Sequence, residues 1–359
     1  MKIIDKYIIK KFLGTFFYAI SLLIIIVIIF DISENIDRFI ENEAPLRAIV
    51  FDYYLNFIPY FINLFIYLFT FISVIFFTSK LAGDSEIIAI LSSGISFKRL
   101  LVPYLVASVF LAVFSLYLGN FLIPKTNKLL REFKNIYMEK LTKDNERNFH
   151  VQIEPNTYAY VESYVSSLNR GYKFSIEKYK GEQLVYKLMA NQIIRDTVNK
   201  KWKIKNYFIR IMDSTGQKII RGREMDTTLT SLKPSDLYEI KEDFQEMNYF
   251  QLNKYIREEK AKGSIAYKKY EIEKYKRLSG PVAIIILTFI GVALSARKVR
   301  GGIGMHLGVG IALTFSYIFL MQVSTVFSAF GNLSPAIAPW IPNFIFLLIG
   351  LYLLKKAPK

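Results

Sequence analysis

Six stretches of this 359-residue chain are apolar for long enough to cross ~30 Å of hydrocarbon. They fall at about 13–30 (LGTFFYAISLLIIIVIIF), 55–78, 100–123, 281–296, 303–329 and 338–354. Between the third and fourth lies a polar stretch, 124–278, large enough to be a domain of its own. It opens with a continued helix, PKTNKLLREFKNIYMEKL, and then the pattern changes. FHVQIE, TYAYVES, YKFSIEKY, QLVYKLMA, WKIKNYFIRIMD and KIIRG are rich in β-branched and aromatic residues. Turn signals separate them at Asn169-Arg170-Gly171, Lys180-Gly181-Glu182, Asn199-Lys200 and Ser214-Thr215-Gly216. Alternation is strict at Tyr172, Phe174 and Ile176 and again at Trp202 and Ile204. A helix follows at NYFQLNKYIREEKAKG and ends at Gly263. The pattern predicts a membrane α-helical protein of six transmembrane helices with an inserted β-domain, a β-sandwich or a β-jelly-roll-like sheet. Residues 1–123 hold the first three helices, 124–278 the inserted domain and 279–359 the last three.

Composition agrees with a chain divided between bilayer and water. It is 52% apolar, with 30 Phe and 24 Tyr, yet carries a formal charge of +17. Lys and Arg in the short loops set the orientation. Lys2, Lys6, Lys10, Lys11, Lys80, Lys98, Arg99, Arg297, Lys298, Arg300, Lys355, Lys356 and Lys359 share one side. The opposite short loops hold only Arg38 and Arg47, beside six carboxylates. Both termini are therefore expected in the cytoplasm and the inserted domain on the far face. The first apolar run lacks a small-residue cleavage site, so it reads as a retained span. Cysteine is absent and decides little about compartment.

One short stretch, GDSEIIAILSSGISFKRL (83–100), stands between two spans and reads as a capped helix at about 84–93. Asp84 is the expected N-cap, Glu86 lies in the first turn and Gly94 ends it. Ile87, Ile88, Ile90 and Leu91 are expected on one face, and Ser85, Glu86, Ala89 and Ser92 on another. Three turns are too few to span a bilayer.

Catalytic signatures are missing. The chain has no P-loop, no H-E-x-x-H and no G-x-S-x-G. Its two histidines, His150 and His306, fall in different compartments, so a metal site or a Ser-His triad is hard to build. Gly304 and Gly308 form a G-x-x-x-G at the start of a span, where small residues admit close helix packing. Segment 124–278 carries 32 Lys and Arg against 21 Asp and Glu, a net of +11. Nucleic acid is disfavoured as its partner on that face, and an anionic lipid fits better. These absences disfavour an enzyme and leave a transporter, a channel or a receptor.

Several segments resemble the lipopolysaccharide export permeases LptF and LptG: DKYIIKKF, SEIIAILSSGIS, NFLIPKTNKLLREFKN, KRLSGPVAIIIL and SPAIAPWIPNFIFLLIG, in the same order and spacing. The resemblance implies a multi-pass permease of an ABC transporter in the inner membrane of a Gram-negative bacterium. Such a permease extracts lipopolysaccharide and passes it to periplasmic carriers for outer-membrane assembly. It implies a cytoplasmic LptB-like ATPase dimer, a second LptF/LptG-type permease and LptC/LptA-like carriers as partners. ATP binds the ATPase, and no cofactor is expected in this chain. The 84–93 helix then looks like the family's coupling helix, with Asp84, Ser85 and Glu86 facing the ATPase. Arg131 and Lys134, one turn apart beyond the third span, match the family's basic contacts with lipopolysaccharide phosphates. The sequence departs from the family at FDISENIDRF, where Asp31, Glu34 and Asp37 stand where members can carry lysine.

Two rivals follow from the same layout. An ABC-type permease exporting another lipid or a lipoprotein shares the coupling helix and differs in cargo. A membrane sensor or scaffold would need a cytoplasmic output module, and the segments on that side are short.

Overall fold

The computed structural model describes residues 2–138, 148–165, 168–196, 201–213, 216–227, 229, 232, 244–296 and 302–356. The Asn199-Lys200 turn signal, Ser214, Thr215, Arg297, Lys298, Arg300 and Lys359 lie outside the described residues. The chain divides into two units. One gathers Met1–Met138, Phe244–Phe250 and Lys268–Lys359, and the other Glu139–Asp243 and Gln251–Tyr267.

The first unit is a helical bundle. Six helices are long and apolar enough to cross a membrane: Ile3–Glu41, Leu46–Gly83, Phe97–Tyr137, Tyr267–Ser295, Ile303–Phe330 and Ala338–Lys355. They contain all six expected spans, and several run beyond the apolar runs into polar sequence. The fourth is the most enclosed, while the first and fifth are the least. Phe12, Phe16, Ile66, Val74, Tyr104, Leu111 and Ile284 are buried together on one side of the second span. Phe71, Ile75, Leu287, Ile290, Tyr317 and Phe346 are buried together on the other. Gly291 lets the fourth span close on the second, since a Cβ there would lie 2.9 Å from Val74 Cγ1.

Most polar groups inside the bundle are bonded, as an apolar medium demands, while Thr70 Oγ1, Ser73 Oγ and Asn120 Oδ1 are buried without a hydrogen-bond partner among the described residues. Thr78 Oγ1 donates to Tyr104 Oη (3.0 Å). Asn343 Nδ2 donates to the Ser279 carbonyl (2.7 Å), and its Oδ1 accepts from Tyr317 Oη (2.9 Å). Wider π-type turns interrupt the second helix at Ile49–Tyr54 and the third at Leu118–Leu122. Such turns are uncommon and recur at functional positions.

The second unit holds a six-stranded antiparallel sheet. Its strands are β1 (Phe149–Glu154), β2 (Thr157–Val165), β3 (Arg170–Lys180), β4 (Gln183–Arg195), β5 (Trp202–Asp213) and β6 (Gly216–Thr227), in that spatial order. Sequential order means that every connection is a hairpin. Val161, Phe174, Ile176, Leu188, Ile193, Trp202 and Ile204 form its core, with Leu232 packed on them. Trp202 Nε1 donates to the Leu232 carbonyl (3.3 Å), so the buried indole keeps a partner. Gly171 sits where β3 crosses that core, because a Cβ there would lie 2.8 Å from Ile193 Cγ2. The helix Tyr249–Lys262 stops at Gly263, whose φ of +76° is left-handed.

Candidate functional site

The short helix runs over Glu86–Ser92. The second span continues through Gly83, and the Asp84 amide closes it by donating to the Lys80 carbonyl (2.9 Å). The N-cap position therefore falls on Ser85, with a left-handed φ of 62°, and not on Asp84. Gly94 (φ +86°) ends the helix as expected, and Ser96 caps the third span, its Oγ accepting from the Arg99 amide.

Ile87 turns into the bundle, 1% exposed, among Ile8, Leu81 and Leu100. Ile90 and Leu91 follow three and four residues on and share its face. Ile88 does not. It lies a quarter-turn round from Ile87 and is 55% exposed, beside Ala89 and Ser92. The helix is thus clamped along one apolar line and leaves Asp84, Ser85, Ile88 and Ala89 open, with Glu86 half-buried.

A second tie lies beside it, and the sequence does not announce it. Arg99 Nη1 and Nη2 donate to Asp5 Oδ1 (2.8 Å) and Oδ2 (2.7 Å), and the Lys2 amide also donates to Asp5 Oδ2 (2.8 Å). The Asp5 side chain is only 7% exposed. A bidentate guanidinium–carboxylate pair fixes direction as well as distance. It fastens the start of the first span to the start of the third, against Ile90 and Ile95 of the short-helix loop. The one sequence signal is a lone carboxylate in a lysine-rich helical start.

At the other end of the third helix, Arg131 and Lys134 flank buried Phe133, which packs on Phe39 and Tyr53. Arg131 Nη2 pairs with Glu246 Oε2 at 2.8 Å. Its charge is therefore partly offset within the unit. Lys134 is half-buried and makes no side-chain ion pair among the described residues. In the acidic segment, Asp31 accepts from Tyr53 Oη (3.1 Å) and Tyr54 Oη (3.0 Å) and from Asn35 Nδ2 (3.2 Å). That carboxylate fastens the first span to the second, whereas Glu34 and Asp37 stay exposed.

Gly304 and Gly308 face open space, with nothing within 4 Å of an added Cβ. Gly310 is the packed glycine of that helix, since a Cβ there would collide with Ile75 Cδ1. His306 Nδ1 lies 2.8 Å from Ser79 Oγ, and the His150 ring lies against Tyr160. Among the described residues no group of three or more His, Cys, Asp or Glu is placed to hold a metal ion.

Residues 6–356 match the model of the family described as lipopolysaccharide export system permease LptF/LptG. The chain is 20% identical over 283 residues to the lipopolysaccharide export system permease protein LptG of Escherichia coli K12, covering 77% of each chain. The LptG of Escherichia coli O6:H1 aligns over the same length at the same identity.

Proposed function

Because the chain belongs to the LptF/LptG family and is a multi-pass inner-membrane permease subunit of lipopolysaccharide export, we propose that its short helix receives the force that drives export. In this reading both termini are cytoplasmic and the sheet unit is periplasmic, as the lysine and arginine asymmetry of the short loops supports. Asp84, Ser85 and Glu86 dock into a basic groove of an LptB-like ABC ATPase dimer, which binds and hydrolyses ATP. This chain contributes no cofactor.

The observation that carries the reading is the asymmetry of the short helix. Ile87 is locked among three spans while Asp84, Ser85, Ile88 and Ala89 stay open at the same end. A helix buried at one residue line and free along the rest can accept a partner and pass its displacement into the bundle. Asp5–Arg99 gives that displacement a route to the first span.

A second LptF/LptG-type permease faces this one. The first and fifth spans, which keep Phe30, Phe319 and Phe327 exposed, are the walls the pair closes around lipid. Gly304 and Gly308 supply a close-packing face to that partner. Lys134, with Arg131 in exchange with Glu246, meets lipopolysaccharide phosphates at headgroup depth. The acyl chains pass along the apolar side of the sheet to LptC/LptA-like carriers. A ligand shifts such an equilibrium only by binding the two states unequally, so the closed cavity must hold lipid more weakly than the open one.

The test is a charge reversal. Glu86→Lys, which also removes the 3.5 Å bond Glu86 Oε2 accepts from Tyr7 Oη, is expected to cut co-purification of the ATPase with the full-length permease by at least about tenfold, while Tyr7→Phe, which removes that bond alone, keeps it. Undiminished capture of the ATPase by Glu86→Lys overturns the docking role.

A further inference from the structure

A cavity of about 240 Å³ opens in the helical unit, lined by Tyr60, Asn63 and Tyr67 of the second span, Gly119 and Ile123 of the third, and Glu273, Lys276 and Arg277 of the fourth. Leu64, Phe244 and Gln245 complete it, and none of its lining comes from the first or fifth span. Its depth is set by sequence. Gly119 and Ile123 close the apolar run of the third span, and Lys276 precedes the apolar run that begins at 281, so the cavity lies at a boundary between hydrocarbon and water.

The chemistry inside is one-sided. Arg277 is fully engaged: its Nε donates to Glu273 Oε1 (3.1 Å), its Nη1 to the Met247 carbonyl (2.8 Å) and its Nη2 to the Phe244 carbonyl (2.6 Å). Glu273 is neutralised by the same guanidinium. Lys276, exposed, has no ion pair among the described residues, and the hydroxyls of Tyr60 and Tyr67 make no hydrogen bond there. Asn63 uses its Oδ1 to accept from Ser115 Oγ (2.7 Å), which leaves the amide's N–H groups for other work. Four side chains thus bring donors, one of them a cation, to one small space.

The backbone is arranged to keep that space open. Gly280 holds the fourth span against Tyr67, where a Cβ would collide with the phenol oxygen, and Gly119 sits in the π-type turn facing Asn63 Nδ2 at Cβ distance 3.7 Å.

We propose that this cavity binds the phosphate of a phospholipid headgroup, resident in the permease and separate from its cargo. The phosphate oxygens accept from Lys276 Nζ and from the Tyr60, Tyr67 and Asn63 donors. The acyl chains lie in the hydrocarbon beside the second and fourth spans. The volume suits this ligand, being below the ~300–1,000 Å³ of sites that enclose drug-sized molecules. The site fastens a lipid to the three most enclosed spans.

Native mass spectrometry of the full-length protein in mild detergent tests this, with added phosphatidylglycerol as the probe. Wild type is expected to keep one phosphatidylglycerol after the other adducts are stripped. Lys276→Glu should weaken that binding by about fivefold or more, since it removes one interfacial cation and puts a carboxylate beside the phosphate, while Lys276→Arg keeps it within about twofold. Tyr67→Phe, which removes one oxygen and no volume, should weaken it measurably. Equal retention by Lys276→Glu overturns the proposal. So does equal binding of inorganic phosphate, which marks a free-anion site, or one-for-one displacement by lipopolysaccharide, which makes the cavity part of the cargo path. Neither ATPase nor transport enters the measurement, so failure of the docking role leaves this result intact.

Discussion

Asp5 and Arg99 show how one residue pair can carry more than its local contacts. Both oxygens of a nearly buried carboxylate are bonded to one guanidinium, so removing either partner strands the other. Because Arg99 is 35% exposed, water relieves part of that penalty, and we expect Arg99→Leu to destabilise the bundle by less than the loss of a fully buried pair would. A lowered thermal midpoint of the detergent-solubilised chain checks this, and Arg99→Lys should recover only part of it, since an ammonium cannot bind in a fork. In the sheet unit, the Lys187 ammonium beside Glu177, helped by the Tyr179 hydroxyl, holds the Glu177 carboxyl below its ordinary value of 4.5. A depressed folded pKa means stability that is present above 4.5 and lost as pH falls through the folded value. Wild type should therefore be more stable than Glu177→Gln at pH 7, and the gap should close on acidification; a gap independent of pH would contradict the pairing.

At the scale of elements, glycines separate packing within the chain from packing between chains. Gly310→Ala drives a methyl into Ile75 and should destabilise the bundle by ~1–3 kcal/mol through overpacking. Gly304→Ala and Gly308→Ala meet open space and should leave the thermal midpoint of the isolated chain unchanged. Their effect should appear only in the yield of paired permeases. Elements of this kind were legible in the sequence where a local period wrote them. The six spans, β1–β6 and the stop at Gly263 each follow from spacing and punctuation, although several helices extend well past the apolar runs that mark them. The short helix was legible as an element but not in its orientation: its burial line passes through Ile87 and excludes Ile88, because the bundle chooses which apolar residues it covers. Contacts between distant segments left no such trace. Asp5 and Arg99 are 94 residues apart, and nothing local to either names the other. Arg131 likewise reads as a free cation until the chain returns with Glu246.

For the whole molecule, the division of labour follows from what each part buries. The fourth span is enclosed, the first and fifth keep apolar faces outward, and the short helix is held along one apolar line at the end where the basic loops cluster. Those features suit a subunit that is moved by one partner and closes against another. Mass spectrometry of the lipids and proteins that co-purify with the full-length chain from native membranes in mild detergent tests this most directly. The account predicts lipopolysaccharide together with an ABC ATPase, and both should survive mild washing. Phospholipid alone, with neither lipopolysaccharide nor an ATPase, would contradict it.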